Sequence, residues 1–135
     1  MLPESAGILV DTSVWIKFFR FGHAGESLHL DSLLEARAVR TCAPVRTEVF
    51  SGAKTERERS RLKELFLAVP SLEFPADIWE RVEETRFRLA RKGHQASLID
   101  LMIAVTAFFH ETPLWTLDDD FKMIREAVAL HLYSY

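Results

Sequence analysis

Residues 113–124 read PLWTLDDDFKMI, a stretch that joins a strand-like pattern directly to a run of acids. Leu114, Trp115 and Leu117 predict a short buried strand, and three carboxylates at positions 118–120 follow it at once. Two unit charges about 4 Å apart repel by roughly 4 kcal/mol at an effective dielectric constant near 20. This concentration of negative charge at the end of a core strand indicates a functional site if other acids of the chain lie at the same place.

The rest of the chain alternates short apolar runs with longer amphipathic segments. Short apolar runs bounded by turn residues predict strands, and apolar residues three or four positions apart predict helices. The alternation predicts an α/β fold, a single domain over residues 1–135 with a mainly parallel central sheet flanked by helices. The predicted strands are 7–11, 38–43, 71–74, 113–117 and 128–133, and the predicted helices are 13–21, 27–36, 44–53, 55–68, 76–93 and 97–110.

The composition is that of a soluble globular protein, with 48% hydrophobic and 27% charged residues. The longest apolar run, near LMIAVTAFF, is too short to span a membrane, and MLPESAG at the start does not resemble a signal peptide. A net charge of −3 argues against a broad basic surface, so a nucleic-acid substrate would need a local basic patch or bridging cations. The single cysteine, Cys42, fits a reducing compartment. We therefore expect a cytoplasmic protein without a membrane segment.

Two acids in the first half of the chain have ordinary structural explanations when each is taken alone. Asp11 follows the first predicted strand in LVDTSVW, and Asp11, Thr12 and Ser13 are all residue types that cap helices. Glu48, in RTEVFSG, is equally well explained as a solvated helix residue. Neither acid predicts a functional site without the others.

Asp100 is harder to explain by capping alone. Ser97 and Asp100 match the S-x-x-D capping box at the start of the predicted helix 97–110. That helix is otherwise mostly apolar, so its carboxylate needs a partner, because burying an unpaired charge is costly. No Lys or Arg occurs between Gly93 and Lys122, and any cationic partner must therefore come from elsewhere.

Taken together, the acids Asp11, Glu48, Asp100 and Asp118 stand at strand ends and helix starts that should meet at one edge of the sheet. Four carboxylates in one pocket would raise each other's pKa values, and the arrangement becomes favourable when divalent cations fill it. Oxygen ligands without His or Cys favour Mg²⁺ or Mn²⁺. Two such ions, about 4 Å apart, would activate a water and stabilise the leaving oxygen during phosphodiester cleavage.

Four segments resemble, in order, the acidic motifs of the PIN domain: LVDTSVWI, RTEVFSG, SLIDLMIAVTA and LWTLDDDF. The compact length is similar to that of VapC toxins, the ribonucleases of toxin–antitoxin pairs. The resemblance implies a Mg²⁺- or Mn²⁺-dependent endoribonuclease that forms a homodimer and is inhibited by a VapB-type antitoxin. It also implies the site residues, which are the metal-binding acids Asp11, Glu48, Asp100 and Asp118 with the polar neighbours Ser13 and Thr116.

The three consecutive acids leave the fourth ligand open, because Asp120 before Phe121 also matches the family pattern. If the chain stays extended after the strand, successive side chains alternate between its two sides. Asp118 would then be the metal ligand, Asp119 would be solvated, and Asp120 would return to the pocket as outer-shell support.

Two other functions remain open at this stage, and a third is disfavoured. Related folds use the same acids to cut DNA or structured nucleic acids, and a protein with intact acids can also be a binding module without activity. A phosphorylation-receiver domain is disfavoured, because LFLAVPSLEF offers no nucleophilic Asp on a central strand. The basic stretches RERSRLK and Arg86 to Lys92 are explained as solvated helix faces, with RNA contact as the alternative.

The predicted helix 13–21 carries more apolar residues than one packed face requires. Trp15, Phe18, Phe19 and Phe21 point around the helix, interrupted by two basic residues. We expect part of this helix to meet a second chain, either another copy or an antitoxin helix, with core packing as the alternative.

Overall fold

The computed structural model describes residues 7–22 and 25–135 of the chain. Strands and helices alternate along the first part of it, as the sequence predicts. The strands are β1 (Ile8–Val10), β2 (Val39–Arg40) and β3 (Leu114–Trp115). The helices are α1 (Thr12–Phe21), α2 (Glu26–Glu35), α3 (Ala43–Ser51), α4 (Glu56–Phe66), α5 (Ile78–Arg91), α6 (Leu98–Phe109) and α7 (Asp120–Ile124).

The sheet is parallel and has the order β2-β1-β3, which confirms the predicted α/β fold with a parallel centre. β1 lies in the middle, with Leu9 beside Arg40 of β2 and Leu114 of β3. Each parallel connection runs through helices, as the geometry of parallel strands requires. The carboxyl ends of β1 and β3 therefore lie at the same edge of the sheet.

Two predicted strands are reduced to single bridges, and the prediction of full strands there is wrong. Ser71 bridges Thr41 at one edge, where Pro70 and Pro75 flank the segment and supply no N–H for a ladder. Leu132 bridges Leu114 at the other edge. The C-terminal segment begins with a tight turn, in which the Leu130 N–H bonds the Val128 carbonyl at 2.5 Å, so only its last residues can pair.

The predicted helix starts are explained by their caps. The Asp11 side chain accepts a hydrogen bond from the Ser13 N–H, and Ser97 Oγ accepts one from the Asp100 N–H at 3.1 Å. Capping satisfies N–H groups that have no partner within the helix. Thr55 caps α4 in the same way through the Glu58 N–H, as the capping-box pattern predicts.

The core lies between the sheet and α6, which is buried on most sides as predicted. Leu101, Ile103, Ala104 and Ala107 of this helix are fully buried. This helix packs against α3, α5 and α7, and its first turn carries Asp100. None of the helices in the described ranges is long and apolar enough to cross a membrane.

The aromatic residues of α1 divide between the core and the surface. Trp15 is fully buried and packs against Phe66 of α4, and Phe18 is partly buried against the same core. Phe19 and Phe21 are exposed. Trp15 and Phe18 thus belong to the core, and Phe19 and Phe21 are the part of this helix that remains for the expected contact with a second chain, which stays a prediction.

Candidate active site

Asp11 lies directly beyond β1 and continues the backbone pairing of the sheet. Its N–H donates to the Trp115 carbonyl of β3 at 2.9 Å, so the residues that follow both strands are held side by side. Asp11 is buried, with 5% of its surface exposed. The predicted meeting of the β1 and β3 ends at one edge is confirmed by this contact.

The buried carboxylate of Asp11 is held by two hydroxyls. Ser13 Oγ donates to Asp11 Oδ2 at 2.7 Å, and Thr116 Oγ1 donates to the same oxygen at 2.9 Å. The Ser13 N–H adds a longer contact of 3.4 Å to it. Within the described part of the chain, no hydrogen bond reaches the other oxygen, Oδ1. One oxygen of Asp11 is therefore saturated and fixed in place, and the other remains available to a ligand.

The same two hydroxyls also hold the loop that carries the next acid. The Leu117 N–H donates to Ser13 Oγ, and the Asp118 N–H donates to Thr116 Oγ1, both at 3.0 Å. Each hydroxyl thus accepts from the loop backbone while it donates to Asp11. This arrangement fixes Asp118 relative to Asp11, and the supporting role that the family resemblance implies for Ser13 and Thr116 stays a prediction.

Three acids form a compact group, which we call the acid cluster: Asp100, Asp118 and Asp120. One carboxylate oxygen from each lies within 4.8 Å of the others. Asp100 comes from the first turn of α6, while Asp118 precedes α7 and Asp120 opens it. Two segments far apart in sequence are therefore brought together to make this group.

The acid cluster raises the pKa of Asp100 to about 6, first through burial and then through the charges of Asp11 and Asp118. The charge of Asp120 acts in the same direction, whereas the Ser97 hydroxyl lowers the pKa. Asp11 thus lies close enough to act on the cluster, although it is not one of its three members. The raised pKa of Asp100 agrees with the repulsion expected among carboxylates that share a pocket, with Asp120 in the set and without Glu48.

No ion pair relieves this repulsion among the residues that the structure describes. The nearest paired cation in the sequence, Lys122, binds Asp119 at 3.1 Å instead of an acid of the cluster. The donor set consists of carboxylate oxygens, which are the ligands of hard divalent cations. An arrangement of unpaired acids with an upward-shifted pKa fits a metal site, since a bound cation would remove the electrostatic cost.

Glu48 lies beside this group and outside the acid cluster. It is an exposed residue of α3, and its Oε1 accepts a hydrogen bond of 3.0 Å from Thr12 Oγ1. Burial, and then the charges of Asp11 and Glu48, raise the pKa of the Cys42 thiol to about 12. Cys42 precedes α3 and feels both acids, so Asp11 and Glu48 flank the same part of the site.

Thr12 is a site residue that the sequence analysis considered only as a possible helix cap. Its hydroxyl holds the Glu48 carboxylate, so Thr12 and Ser13 serve two different acids from adjacent positions. The available signal was its place, directly after Asp11 in the first turn of α1. A hydroxyl there faces the sheet edge, where the other acids collect.

The three consecutive acids are separated by a turn rather than by extended chain. Asp119 adopts φ −66° and ψ −17°, which is helical, so the expected alternation along an extended strand is wrong as a reason. Asp119 is nevertheless exposed, with 88% side-chain exposure. The Asp120 N–H donates to Asp118 Oδ1 at 2.9 Å, which folds Asp120 back toward Asp118. Asp120 therefore lies in the acid cluster, on the pocket side as predicted, and its outer-shell role stays a prediction.

The basic residues of α5 are partly paired. Arg88 binds Glu84 at 3.0 Å, and the Lys92 ammonium lies 4.0 Å from Glu126. Arg86 is exposed and reaches the Ala96 carbonyl, just before the cap of α6. Most of this stretch thus has the character of a solvated helix face, with Arg86 turned toward the start of the helix that carries Asp100.

Comparison with known proteins places this arrangement in a family. The PIN domain family model matches residues 8–127. The ribonuclease VapC11 of Mycobacterium tuberculosis is 30% identical over 132 residues, which cover 95% of this chain and 98% of that protein. The ribonuclease VapC5 of the same organism is 32% identical over 133 residues, covering 95% of this chain and 94% of that protein.

Solved structures agree in fold. A chain in the crystal structure of VapBC2 from Rickettsia felis, bound to a DNA fragment from the promoter, superposes with a TM-score of 0.77 at 21% identity. The superposition covers 95% of this chain and 98% of that one. With the family model, the two ribonucleases and the edge of acids in agreement, the chain belongs to the PIN-domain family, in its VapC ribonuclease group.

Proposed function

We propose that this protein is a VapC-type toxin, an endoribonuclease that hydrolyses RNA phosphodiester bonds with Mg²⁺ or Mn²⁺. The observation that carries the proposal is the acid cluster with Asp11 close by, a set of four carboxylates without a cationic partner among the described residues. Curated relatives that cover nearly the whole chain are ribonucleases. Mg²⁺ and Mn²⁺ are favoured over softer metals, because every candidate ligand is a carboxylate oxygen.

The proposed ligands are Asp11, Asp100 and Asp118, with Asp120 as outer-shell support and Glu48, which Thr12 holds, as a further metal-binding acid. When bound, divalent cations would activate water and stabilise the developing charge on the leaving oxygen. The protein's own contribution is to hold the acids in place. The free Oδ1 of Asp11 and the capped start of α6 give two ligand positions, and the hydroxyls of Ser13 and Thr116 hold the loop that carries the third acid.

Chelation and substitution together test this activity. We expect the protein to cleave a pooled RNA set when Mg²⁺ or Mn²⁺ is present and to lose activity in chelator. Asp100→Asn should reduce the rate by orders of magnitude while the fold survives. Asp119→Asn is the matched control, because it removes the same charge from an exposed position next to the cluster. Full activity in chelator would refute the metal-dependent reading.

The two alternatives are cleavage of DNA or structured nucleic acid, and binding without catalysis. Parallel assays on unstructured RNA, single-stranded DNA and hairpins separate these alternatives. The RNA reading is favoured by the ribonuclease relatives. Faster cleavage of DNA than of RNA, or binding of RNA without cleavage at any metal concentration, would replace it.

We propose a VapB-type antitoxin as the protein partner and a homodimer as the assembly. The exposed apolar side chains Ile16, Phe19 and Phe21 of α1, with Leu28 of α2, are 48–62% exposed and form the candidate surface for an antitoxin helix. Apolar patches of this kind mark interaction sites. Phe19→Glu should weaken binding of a VapB-type antitoxin. Exposed Phe87→Glu on α5 serves as a control for the added charge.

Light scattering tests the homodimer separately. A dimer at micromolar concentration is expected, and a monomer at every concentration would remove this part of the proposal. We further propose the cytoplasm as the place of action, because an RNA substrate is found there and the free Cys42 fits a reducing compartment.

A further inference from the structure

Four aromatic rings pack together beside β3 in a group that we call the stack. They come from α2, β3 and the C-terminal segment: His29, Trp115, Tyr133 and Tyr135. The closest pair is His29 and Tyr135, whose ring centres are 3.8 Å apart and whose planes differ by 9°. The proposed active site uses none of these side chains.

The inner rings hold this stack in a fixed position. Trp115 is 3% exposed, and it meets both His29 and Tyr135 edge to face, with ring centres 5.3 and 5.4 Å away. The His29 Nε2 and the Tyr133 hydroxyl are 2.6 Å apart, a hydrogen bond that fixes the imidazole ring. Burial, and then the Tyr135 charge, raise the pKa of Tyr133 above its usual value.

Tyr135 is the outermost ring, and it is 66% exposed. His29 covers one face of its ring at stacking distance, so the exposed surface includes the opposite face. A large aromatic side chain that is pre-oriented and open on one face loses little conformational entropy when a flat ligand stacks on it. That is the property of side chains on which nucleobases stack.

The stack lies at the edge of the sheet that carries the acids. The C-terminal segment runs parallel to β3, with Leu132 beside Leu114 and the Tyr133 N–H bonded to the Leu114 carbonyl at 2.8 Å. The Tyr135 ring meets the Trp115 ring with centres 5.4 Å apart, and the Trp115 carbonyl accepts a hydrogen bond from the Asp11 N–H. Through Trp115, the stack is therefore joined to the strand end beside Asp11, three residues before Asp118.

We propose that Tyr135 is a stacking platform for an unpaired base of the RNA strand that is cut at the acid cluster. The inference rests on the proposed ribonuclease function and names the form of its substrate, a single strand with an accessible base near the cleavage site. Stacking suits this protein, because a chain with a net charge of −3 and a cluster of acids attracts phosphates weakly. A ring binds a base without requiring positive charge.

The test measures binding of a fluorescein-labelled, unstructured RNA oligonucleotide to the Asp100→Asn protein, which should not cut it. Tyr135→Ala in that background should weaken binding about tenfold, the effect expected for the loss of one stacked base. Tyr135→Phe keeps the ring and should bind like the parent. The slope of affinity against salt concentration should be the same for all three, because stacking adds no phosphate contact.

A second series places a single abasic nucleotide at each position of the RNA. One position should lower the affinity of the parent as much as Tyr135→Ala does, and the two changes combined should cost no more than either alone. Tyr135→Ala with parent-like affinity, an equal loss in Tyr135→Phe, or full additivity at every abasic position would each overturn the platform. If the wild-type protein cleaves RNA in that case, the proposed function stands, whereas a wild-type protein that neither binds nor cleaves RNA refutes both.

Thermal melting distinguishes a role of the Tyr135 ring in RNA binding from a merely structural role. Tyr135→Ala with a melting temperature close to that of the parent, together with weaker RNA binding, supports the platform. A large loss of melting temperature in both variants, with RNA affinity following stability, would assign the ring to closure of the sheet edge. Loss of antitoxin binding with unchanged RNA binding would assign it to the protein partner.

Discussion

Replacing Asp100 with Asn should stabilise the metal-free protein. Asp100 carries a negative charge at neutral pH although burial and the charges of Asp11 and Asp118 oppose it, which is why its pKa is raised to about 6. Asn has nearly the same shape and no charge. The substitution therefore removes repulsion from the acid cluster while leaving the Ser97 cap on the Asp100 N–H in place.

The size of the effect follows from the pKa. A rise from 3.8 to about 6 is about two pKa units, worth roughly 3 kcal/mol at 1.36 kcal/mol per unit. Because the carboxylate is partly exposed, solvent screening lowers this to about 1.5 kcal/mol. The favourable interaction of an acid with the start of a helix offsets about 0.5 kcal/mol more. About 1 kcal/mol remains, or an increase in melting temperature of about 4 °C for a domain of this size.

The pH dependence has a definite sign. The folded-state pKa is higher than the unfolded one, so the folded protein binds more protons between about pH 4 and pH 6. Asp100 therefore contributes stability at low pH, and that contribution is lost as the pH rises through about 6. Asp100→Asn should match the wild type near pH 4 and exceed it near pH 7.

Thermal melting in chelator at a series of pH values measures this, with Asp119→Asn as the control. Asp119 is almost fully solvated, and its substitution should change the melting temperature little at any pH. Added Mn²⁺ should reverse the order, since a ligand that binds the folded state stabilises the wild type more than the variant. A large loss of melting temperature for Asp100→Asn in chelator would refute the reasoning and assign Asp100 to helix capping.

Further predictions concern the individual acids and the hydroxyls that hold them. Across a Mn²⁺ titration of RNA cleavage, Asp118→Asn should be the most damaging of the three consecutive substitutions, Asp120→Asn should be partly rescued by more metal, and Asp119→Asn should resemble the wild type. If Asp119→Asn is the worst of the three, the assignment of ligands is wrong. Ser13→Ala should cost about 1 kcal/mol of unfolding free energy, because one hydrogen bond to the buried Asp11 is lost. It should also lower cleavage, which a denaturant melt and a rate assay on the same sample would show, and unchanged values in both would refute the supporting role of Ser13.

The parallel sheet and the edge of acids could be predicted, because both follow from the order of segments along the chain. Alternating strands and helices force parallel pairing, and parallel pairing places the residues after β1 and β3 together. The positions of Asp11 and Asp118 could therefore be predicted without knowledge of side-chain contacts. Asp100 could also be identified from the sequence, because a charged side chain on a mostly apolar helix has few directions that lead to solvent.

The details that depend on local backbone conformation could not be predicted. Whether Asp120 points into the cluster depends on where α7 begins, and helix boundaries are set by single hydrogen bonds such as that from the Asp120 N–H to Asp118. The partner of Glu48 depends on which hydroxyl of two adjacent residues faces it. Strand length at the edges depends on prolines and tight turns, whose effect on pairing is decided by the neighbouring strand.

The hydroxyls of Ser13 and Thr116 connect the Asp11 carboxylate to backbone N–H groups of the neighbouring loop. Each hydroxyl accepts a hydrogen bond from a loop N–H, at Leu117 or Asp118, and donates one to the same oxygen of Asp11. When Asp11 shares its charge with a bound cation, both hydroxyls lose part of their acceptor, and the two N–H groups behind them feel the change. The backbone amide signals of residues 117 and 118 in an NMR spectrum therefore form a natural reporter of occupancy, one that registers what Asp11 holds without any label placed in the site.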